Sequence, residues 1–482
     1  MSIKINNVRL ESIRIQDFKN VKYGELSFIS GKKSNTAEII GLYGQNGSGK
    51  TALIDAMSLL KTLFCGKVID HKLADYIRVG AENSVLTYTF KIEGDNDEII
   101  RVEYSVCIGK IEDYQEDNYS ELVNTDEYRP VVIWERLSLQ VKSNGNVIER
   151  MNPYIDTDSV DSLFKPATKC DLLLGGDKRE ISNLIPKKKI TELSSRSFIF
   201  SREFINSIRR KLHEKDADSI EKKALRFIEV YESLIYYGNF RLFIFDTKDA
   251  SMLNMDILPL SFNYKKDTSK INGNIIIPIN GNGLIPYDAY ELAEQLIESM
   301  NIVLKEIIPG LRISIRIIDT EISSKNQMSY RVQLLSDKNS KPIPLCYESD
   351  GIKKIFCILQ LLINVYNRYS FTVAIDELDS GVFEYLLGEL MSIISNKGKG
   401  QLIFTSHNLR PLETLDKSCI AFTTTNPENR YIRPTYVKAT HNLRDFYYRD
   451  ITLGEQVDEV YDATNNSEIA FAFKEAGDFC GS

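Results

Sequence analysis

The sequence predicts an α/β protein: strand and helix segments at both ends of the chain that suit a mixed or parallel sheet, with an antiparallel β arm and a helical insertion between them. Three observations predict it. A glycine-rich turn joins an apolar run to a helical segment near the N-terminus, three alternating segments follow one another from Ser84, and strand-like and helix-like segments alternate from Leu311 onward.

The opening "LESIRIQDFKNVKYGELSFISG" alternates apolar and polar residues as two short strands would, joined through Lys19 and Asn20. Next comes "GLYGQNGSGKT", which matches the phosphate-binding pattern G-x-x-x-x-G-K-[ST] from Gly44 to Thr51. Its flanks fit: Ile39, Ile40, Leu42 and Tyr43 read as a buried strand, and Leu53, Ile54, Met57, Leu60 and Phe64 recur at helical spacing. A triphosphate has to be wrapped by backbone N–H groups, and Gly44, Gly47 and Gly49 let the chain approach closely and take positive φ. Asn46 and Ser48 complete the wrap, Lys50 reaches the terminal phosphates, and Thr51 offers a hydroxyl to Mg²⁺ at the helix N-terminus.

From Ser84 the stretches "SVLTYTFKIEG", "EIIRVEYSVCIG" and "VVIWERLSLQV" read as an antiparallel β arm, and the acidic link "KIEDYQEDNYSELVNTDEY" reads as a solvated loop. After Leu172 the texture becomes helical. Ile220, Ala224, Phe227, Ile228, Tyr231 and Ile235 share a helical face, and a second helix begins at Asp288, which with Glu291 suits a capping box. Between Lys187 and Lys223 there are eleven Lys/Arg against six Asp/Glu, which fits a solvated helix face or a contact with nucleic acid or acidic protein.

In the final third, "RISIRII", "YRVQLLS", a helix from Gly351, "FTVAID", a helix from Gly381, "GQLIFTS" and "CIAFTTT" suggest a parallel sheet with helices on its faces. The segment Asn442–Gly454 is aromatic and charged, as an interface or a packed terminal strand or helix would be.

Composition sets the class. The 482 residues allow two or three domains, and 43% hydrophobic with 26% charged residues is ordinary for a globular protein. A net charge of -7 argues against a surface that is basic throughout. The first residues lack a secretory apolar core, and the longest apolar run, Phe356 to Ile363, is interrupted by Gln360, so a cytoplasmic protein without a membrane segment is expected. Seven scattered cysteines without a C-x-x-C pair, and four histidines, suggest neither a disulfide framework nor a zinc site.

Three further motifs read phosphate. In "FTVAIDELDSG" an apolar strand delivers Asp376 and Glu377, a pair suited to holding Mg²⁺ and to activating a water. In "QLIFTSHN" another strand ends at His407, placed to donate to a γ-phosphate. In "YESDGIKKI" a Ser-x-Gly turn, Ser349 and Gly351, opens a helix and offers a second anion site.

In this order, "GQNGSGKT", "ESDGIKK", "VAIDELDSG" and "IFTSHN" resemble the Walker A, signature, Walker B with D-loop, and H-loop of the ABC-type ATPase superfamily. The strands leading to "FKN" resemble the N-terminus of its SMC-like and RecF-like branch. The resemblance covers about Ile3–Thr62 and Leu311–Thr425. It implies an ABC-type P-loop head that binds ATP and Mg²⁺. In that reading Lys50 and Thr51 meet phosphates and Mg²⁺, Asp376 holds Mg²⁺, Glu377 is the base, and His407 senses the γ-phosphate. Ser349 and Gly351 complete a partner protomer's site, Asp379 couples the two, and Lys19 and Asn20 match N-terminal nucleotide contacts. Two heads close over two ATP molecules in this family, so a head-to-head homodimer or a higher oligomer is implied. The signature reads ESDGI where the family has LSGGQ, which bears on hydrolysis rate more than on binding.

The implied organisation is an N-terminal ATPase lobe with the β arm (1–175), a mainly helical insertion (176–310), a C-terminal lobe (311–445) and a tail (446–482). The insertion lacks the sustained heptads of an SMC protein. Only 75 residues follow His407, too few for the Toprim nuclease domain of overcoming-lysogenisation-defect nucleases. The chain is similar instead to stand-alone ATPase subunits of bacterial phage-defence operons of the PARIS or Septu kind, which work with a separately encoded effector such as a nuclease. That implies a switch set by a phage protein or DNA. The alternative is a DNA-binding repair ATPase of the SMC/RecF type.

Overall fold

The structure, a computed structural model, describes the chain apart from residues 1–3, 30–35, 95–97, 113–127, 160–161, 215–221, 247–248, 250–256, 267–268, 280–282, 323–327, 339–340, 435–441, 454–457 and 481–482. Most of the acidic link expected as a solvated loop, and Ile220 of the helical pattern, lie outside the described residues.

Strands β1 (Asn7–Phe18) and β2 (Val21–Ser27) form the expected hairpin, turning at Lys19 and Asn20. Strand β3 (Glu38–Tyr43) then leads through the glycine loop into helix α1 (Lys50–Phe64). The arm follows as β4 (Asn83–Glu93), β5 (Glu98–Glu112), β6 (Tyr128–Ser143) and β7 (Asn146–Asp156). It is not separate from the opening hairpin. All six form one antiparallel sheet in the order β2-β1-β4-β5-β6-β7.

Four helices follow: α2 (Ala167–Leu174), α3 (Lys178–Leu193), α4 (Arg202–Glu214) and α5 (Lys222–Phe240). The segment 176–310, expected to be mainly helical, then turns to strands: β8 (Leu242–Phe245), the hairpin β9 (Ile257–Lys266) and β10 (Ser269–Pro278), and β11 (Gly283–Pro286). Leu242–Phe245 is a short apolar run, and periodicity alone cannot tell such a run from the end of a buried helix. Helix α6 (Tyr287–Ile307) lacks the expected Asp288–Glu291 capping box. Its N-cap is Pro286, which places Asp288 inside the first turn, while Glu291 accepts from the Tyr287 hydroxyl at 2.5 Å.

Strands β12 (Leu311–Ile322) and β13 (Met328–Lys338), expected among parallel strands, pair antiparallel with each other in a separate sheet with β11 and the two-residue β14 (Ile343–Pro344). Then come α7 (Asp350–Asn367), β15 (Thr372–Ile375), α8 (Glu384–Lys397), β16 (Gln401–Thr405), the short α9 (Arg410–Thr414), β17 (Ile420–Thr423), β18 (Tyr431–Ile432), α10 (Leu443–Leu453) and α11 (Asn466–Cys480).

A second six-stranded sheet is ordered β18-β17-β3-β16-β15-β8, parallel from β17 to β8 with β18 antiparallel at its edge. Period-2 alternation feeds two cores. Ile40, Leu42, Ala374, Ile403 and Ala421 face α1 and the antiparallel sheet, whereas Ile39, Val373, Ile375, Leu402 and Phe404 face α7 and α8. Burial on both faces explains why these strands read as unbroken apolar runs. Gly238 marks where α5 crosses α1, because a Cβ there would lie 2.4 Å from that of Phe64.

Side chains clasp the two sheets together. The Gln401 amide donates to Leu10 O at 2.8 Å and accepts from Leu10 N at 2.9 Å, serving β1 as a strand partner would. Arg9 donates to Glu38 at 3.1 Å and to Lys399 O at 2.8 Å, with its guanidinium 4.3 Å from the centre of the Tyr369 ring.

Buried polar groups join the helical insertion to the arm. Glu135 of β6 is fully buried and accepts from Tyr104 Oη (2.5 Å), Ser197 Oγ (2.6 Å), Phe198 N (2.8 Å) and Ile199 N (3.2 Å). Nearby, Lys188 of α3 gives its ammonium to the carbonyls of Thr157 (2.6 Å) and Ser159 (2.7 Å). Glu192, one turn on, is buried with Oε1 unpartnered among the described residues. Burial pushes its carboxyl up to about 7, against the pull of Lys188.

The unfolded chain releases that proton near pH 4.3, so Glu192 favours the fold fully only below that value and the contribution fades as pH rises through about 7. Glu192→Gln is expected to match the wild type below about pH 5 and to unfold at a higher urea midpoint above about pH 8. Urea titrations at the two pH values check it; equal midpoints at the higher pH would show that burial does not raise the Glu192 carboxyl.

At the C-terminus, α10 packs through Leu443, Phe446 and Tyr447, the Tyr447 ring lying 5.1 Å from Phe422. This agrees with the packed-helix alternative for Asn442–Gly454. Helix α11 instead leaves residues 466–477 exposed, Phe471 and Phe473 included.

Candidate functional site

Parallel pairing brings the expected site residues to one edge. In register, Leu42 lies beside Thr405 and Ile375 beside Phe404, so β3, β16 and β15 end next to one another. Strands lie about 4.8 Å apart. The loop after β3, His407 after β16 and Asp376–Glu377 after β15 therefore meet at the carboxyl ends of adjacent strands, where ligands of open α/β sheets bind.

The loop curls through Gly47 (φ 78°) and Gly49 (φ 96°), both in the left-handed region. A Cβ on Gly47 would touch nothing within 4 Å, whereas one on Gly49 would press on Arg430 at 3.1 Å and Val21 at 3.2 Å. The loop is thus open at its middle and packed at its base. Ser48 Oγ donates to Gln45 O at 2.7 Å and meets Thr423 Oγ1. Lys50 Nζ folds back onto the carbonyls of Gly44 (2.8 Å) and Gln45 (2.9 Å). Burial lowers its pKa against the pull of Asp376, Asp379 and Glu377, which places the lysine and the three carboxylates in one field. Thr51 is half-buried on the first turn of α1.

The hairpin turn touches the loop. Asn20 Nδ2 donates to Gly47 O, while the Lys19 ammonium pairs with Asp55 of α1 and lies 3.9 Å from the centre of the Tyr76 ring. Lys19 is therefore held by α1 in this structure.

Asp376 is buried, with Oδ1 accepting from Thr405 Oγ1 at 2.6 Å and Oδ2 unpartnered among the described residues. An orphaned carboxylate oxygen is costly unless a cation or water meets it. Together with the Thr51 hydroxyl and the open loop, this donor set fits a hard divalent cation on phosphate. Glu377, at φ 49°, is exposed; its N–H donates to Thr405 Oγ1 at 2.8 Å. The turn thus sends one carboxylate inward and the next outward.

Asp379 Oδ2 accepts from His407 N (3.1 Å) and Asn408 N (3.0 Å), tying the two loops together, and the His407 side chain is exposed. Ser349 caps α7, accepting from Ile352 N at 3.4 Å, and stays exposed. Gly351 is required by contact: a Cβ there would lie 2.0 Å from Gly381 O. The start of α7 is thereby pressed against the loop that carries Glu377 and Asp379.

Several contributors were not singled out from sequence. Thr405 bridges Asp376 and Glu377. Arg430 backs the loop, donating to Thr424 O at 2.5 Å and Asn20 O at 2.7 Å, and Tyr431 Oη donates to Gly49 O at 2.9 Å. Gln45 and Asp462 exchange two hydrogen bonds, 3.1 and 2.8 Å, tying the tail to the loop. Lys354 on α7 is buried and donates to Glu377 O. Only Lys354 left a signal, a lysine inside a helix that is apolar nearly all round.

A family model described as "AAA domain, putative AbiEii toxin, Type IV TA system" matches residues 39–413. No curated protein matches the chain. Similar solved structures include an Smc head bound to the C-winged helix domain of ScpA, at 11% identity over 89% of this chain and 98% of that one, TM-score 0.44. Another is an Smc head with an extended coiled coil bound to the C-terminal domain of ScpA, derived from Pyrococcus furiosus, at 14% identity, 91% and 100% coverage and TM-score 0.41. A third is the recombination mediator RecF with ATP, at 14% identity, 89% and 100% coverage and TM-score 0.34.

Proposed function

This chain belongs to the AAA-domain family whose description names AbiEii and type IV toxin–antitoxin systems, and from that premise we propose that it is an ATP-binding and ATP-hydrolysing switch. It acts as an oligomeric cytoplasmic subunit of an anti-phage defence complex, senses infection through a phage protein or DNA, and controls a separately encoded effector such as a nuclease. The observation that carries the ATPase part is Asp376, buried with a free oxygen beside the Lys50 loop and followed by an exposed Glu377.

Mg²⁺ when bound would neutralise charge building on the phosphates. The protein's own groups do the rest. Gly44–Gly49 present backbone N–H groups, Asn46 and Ser48 among them, and Lys50 swings from its carbonyls to the β- and γ-phosphates. Thr51 and Asp376 would hold the metal. Glu377 orients a water and takes its proton, and His407 donates to the γ-phosphate. Asn20 steadies the loop at Gly47 and Lys19 lies at its rim. Ser349 and Gly351 face a second protomer's nucleotide, with Asp379 joining the two sites.

The defence role rests on the family description. The repair reading loses support from the basic stretch, because Lys188 is buried on carbonyls, Arg209 is bidentate on Glu232 at 2.6 and 2.7 Å, and Arg210 pairs with Glu180. No helix among the described residues is long and apolar enough to cross a membrane.

The test is native mass measurement of Glu377→Gln with ATP and Mg²⁺, with and without co-expressed neighbouring genes. An ATP-dependent oligomer that retains a neighbour's product is expected. A species that ignores ATP and the neighbours but captures duplex DNA in a salt-sensitive way would replace the switch with the repair ATPase.

A further inference from the structure

Lys354 is 4% exposed, on a helix where Ile355, Phe356, Cys357, Ile358 and Leu359 are buried as well. Burying an ammonium is costly unless anions and acceptors receive it. Its surroundings are specific. Nζ donates to the carbonyl of Glu377, which also accepts from Ser380 N at 3.1 Å, and the charges that act on it belong to Asp379, Glu377 and Asp376.

The Glu377 backbone sits at φ 49°, in the left-handed region that disfavours a non-glycine residue. It is pinned on both sides: Thr405 Oγ1 accepts from its N–H and Lys354 holds its C=O. One turn before Lys354 on the same helix, Gly351 presses against Gly381 O, at the far end of the same loop. A small rotation of α7 would move both contacts together.

We propose that Lys354 is a positioning residue that holds Glu377 in its outward-facing turn and links the base to occupancy of the Ser349–Gly351 end of α7. The coupling rests on the ATPase reading above: when a second protomer's nucleotide engages Ser349, α7 shifts, and Lys354 carries the shift to Glu377. Lys353, the residue before it, pairs with Asp350 at 3.4 Å.

The test compares Lys354→Met, Lys354→Arg and Glu377→Gln with the Lys354→Met/Glu377→Gln double variant. Lys354→Met is expected to lower kcat about 10- to 100-fold while ATP affinity, titrated with a fluorescent ATP analogue, stays within about twofold. Lys354→Arg recovers part of the rate, and the double variant is no slower than Glu377→Gln alone, since both changes act on one group. Amide exchange in the nucleotide-free protein should speed up in residues 376–383 of Lys354→Met and not elsewhere. Additive losses, or ATP affinity falling in step with kcat, would make Lys354 a structural charge only. Should the wild type show no turnover sensitive to Glu377→Gln, the ATPase reading fails, and unchanged exchange in 376–383 would separately overturn the positioning role.

Discussion

Glu377→Gln is expected to lower steady-state phosphate release by about 10²–10⁴-fold and to leave ATP binding within about threefold of wild type. The change keeps the side chain's shape and removes its negative charge and its ability to take a proton. Both contacts that hold the turn involve the main chain, N–H to Thr405 and C=O from Lys354, so the backbone has no reason to move. The side chain is exposed, which keeps the stability change within about 0.5 kcal/mol. Lys50, Thr51 and Asp376, the proposed binding groups, are untouched. Phosphate release at saturating ATP and equilibrium titration of a labelled nucleotide read the two quantities apart. Turnover within threefold of wild type would place the base elsewhere.

The largest expected effect on stability lies in the β arm. Glu135→Ala should destabilise the N-terminal lobe by about 3–5 kcal/mol. Four donors converge on this carboxylate from β5 and from the chain between α3 and α4. Alanine would strand the Tyr104 and Ser197 hydroxyls and two backbone N–H groups inside the protein and open a cavity beside them. Burial also raises the Glu135 pKa, while Ser197, Tyr104 and the two N–H groups pull it down. Glu135→Gln keeps the volume but turns an N–H₂ group toward donors, so it should fall between wild type and alanine. Urea unfolding followed by tyrosine fluorescence orders the three. A Glu135→Ala midpoint equal to wild type would show that water or a rearranged loop replaces the carboxylate.

How far the sequence is legible follows from what each motif requires. Gly44–Thr51, Asp376–Glu377 and Ser406–Asn408 are contiguous and sit at strand ends, so local pattern locates them, and strand pairing then brings them side by side. Thr405, Lys354 and Arg430 gain their places through partners outside their own segments. Arg430 meets Asn20, and Asp462 meets Gln45, across more than four hundred residues. The strands of the arm are likewise legible one by one through their alternation, but alternation does not name a neighbour. Hence the merger of β1 with β4 and the antiparallel pairing of β12 with β13 escape it. Leu242–Phe245 escapes for the opposite reason, being too short to show any period.

The strand order β17-β3-β16-β15 also governs when the protein can exist. Strand β3 is made early, yet its sheet neighbours are residues 401–405 and 420–422. At ribosomal speeds of about 5–20 residues per second, the phosphate loop waits roughly 20–70 s for the strands that flank it. Until then β3 has both edges bare, and so long-range a closure is slow by its nature. A product that stops between Glu377 and Gln401 carries the loop and the Asp376–Glu377 turn without the strand that lies between them. Interrupted synthesis therefore yields fragments in which the glycine loop and the Asp376–Glu377 turn are not held side by side.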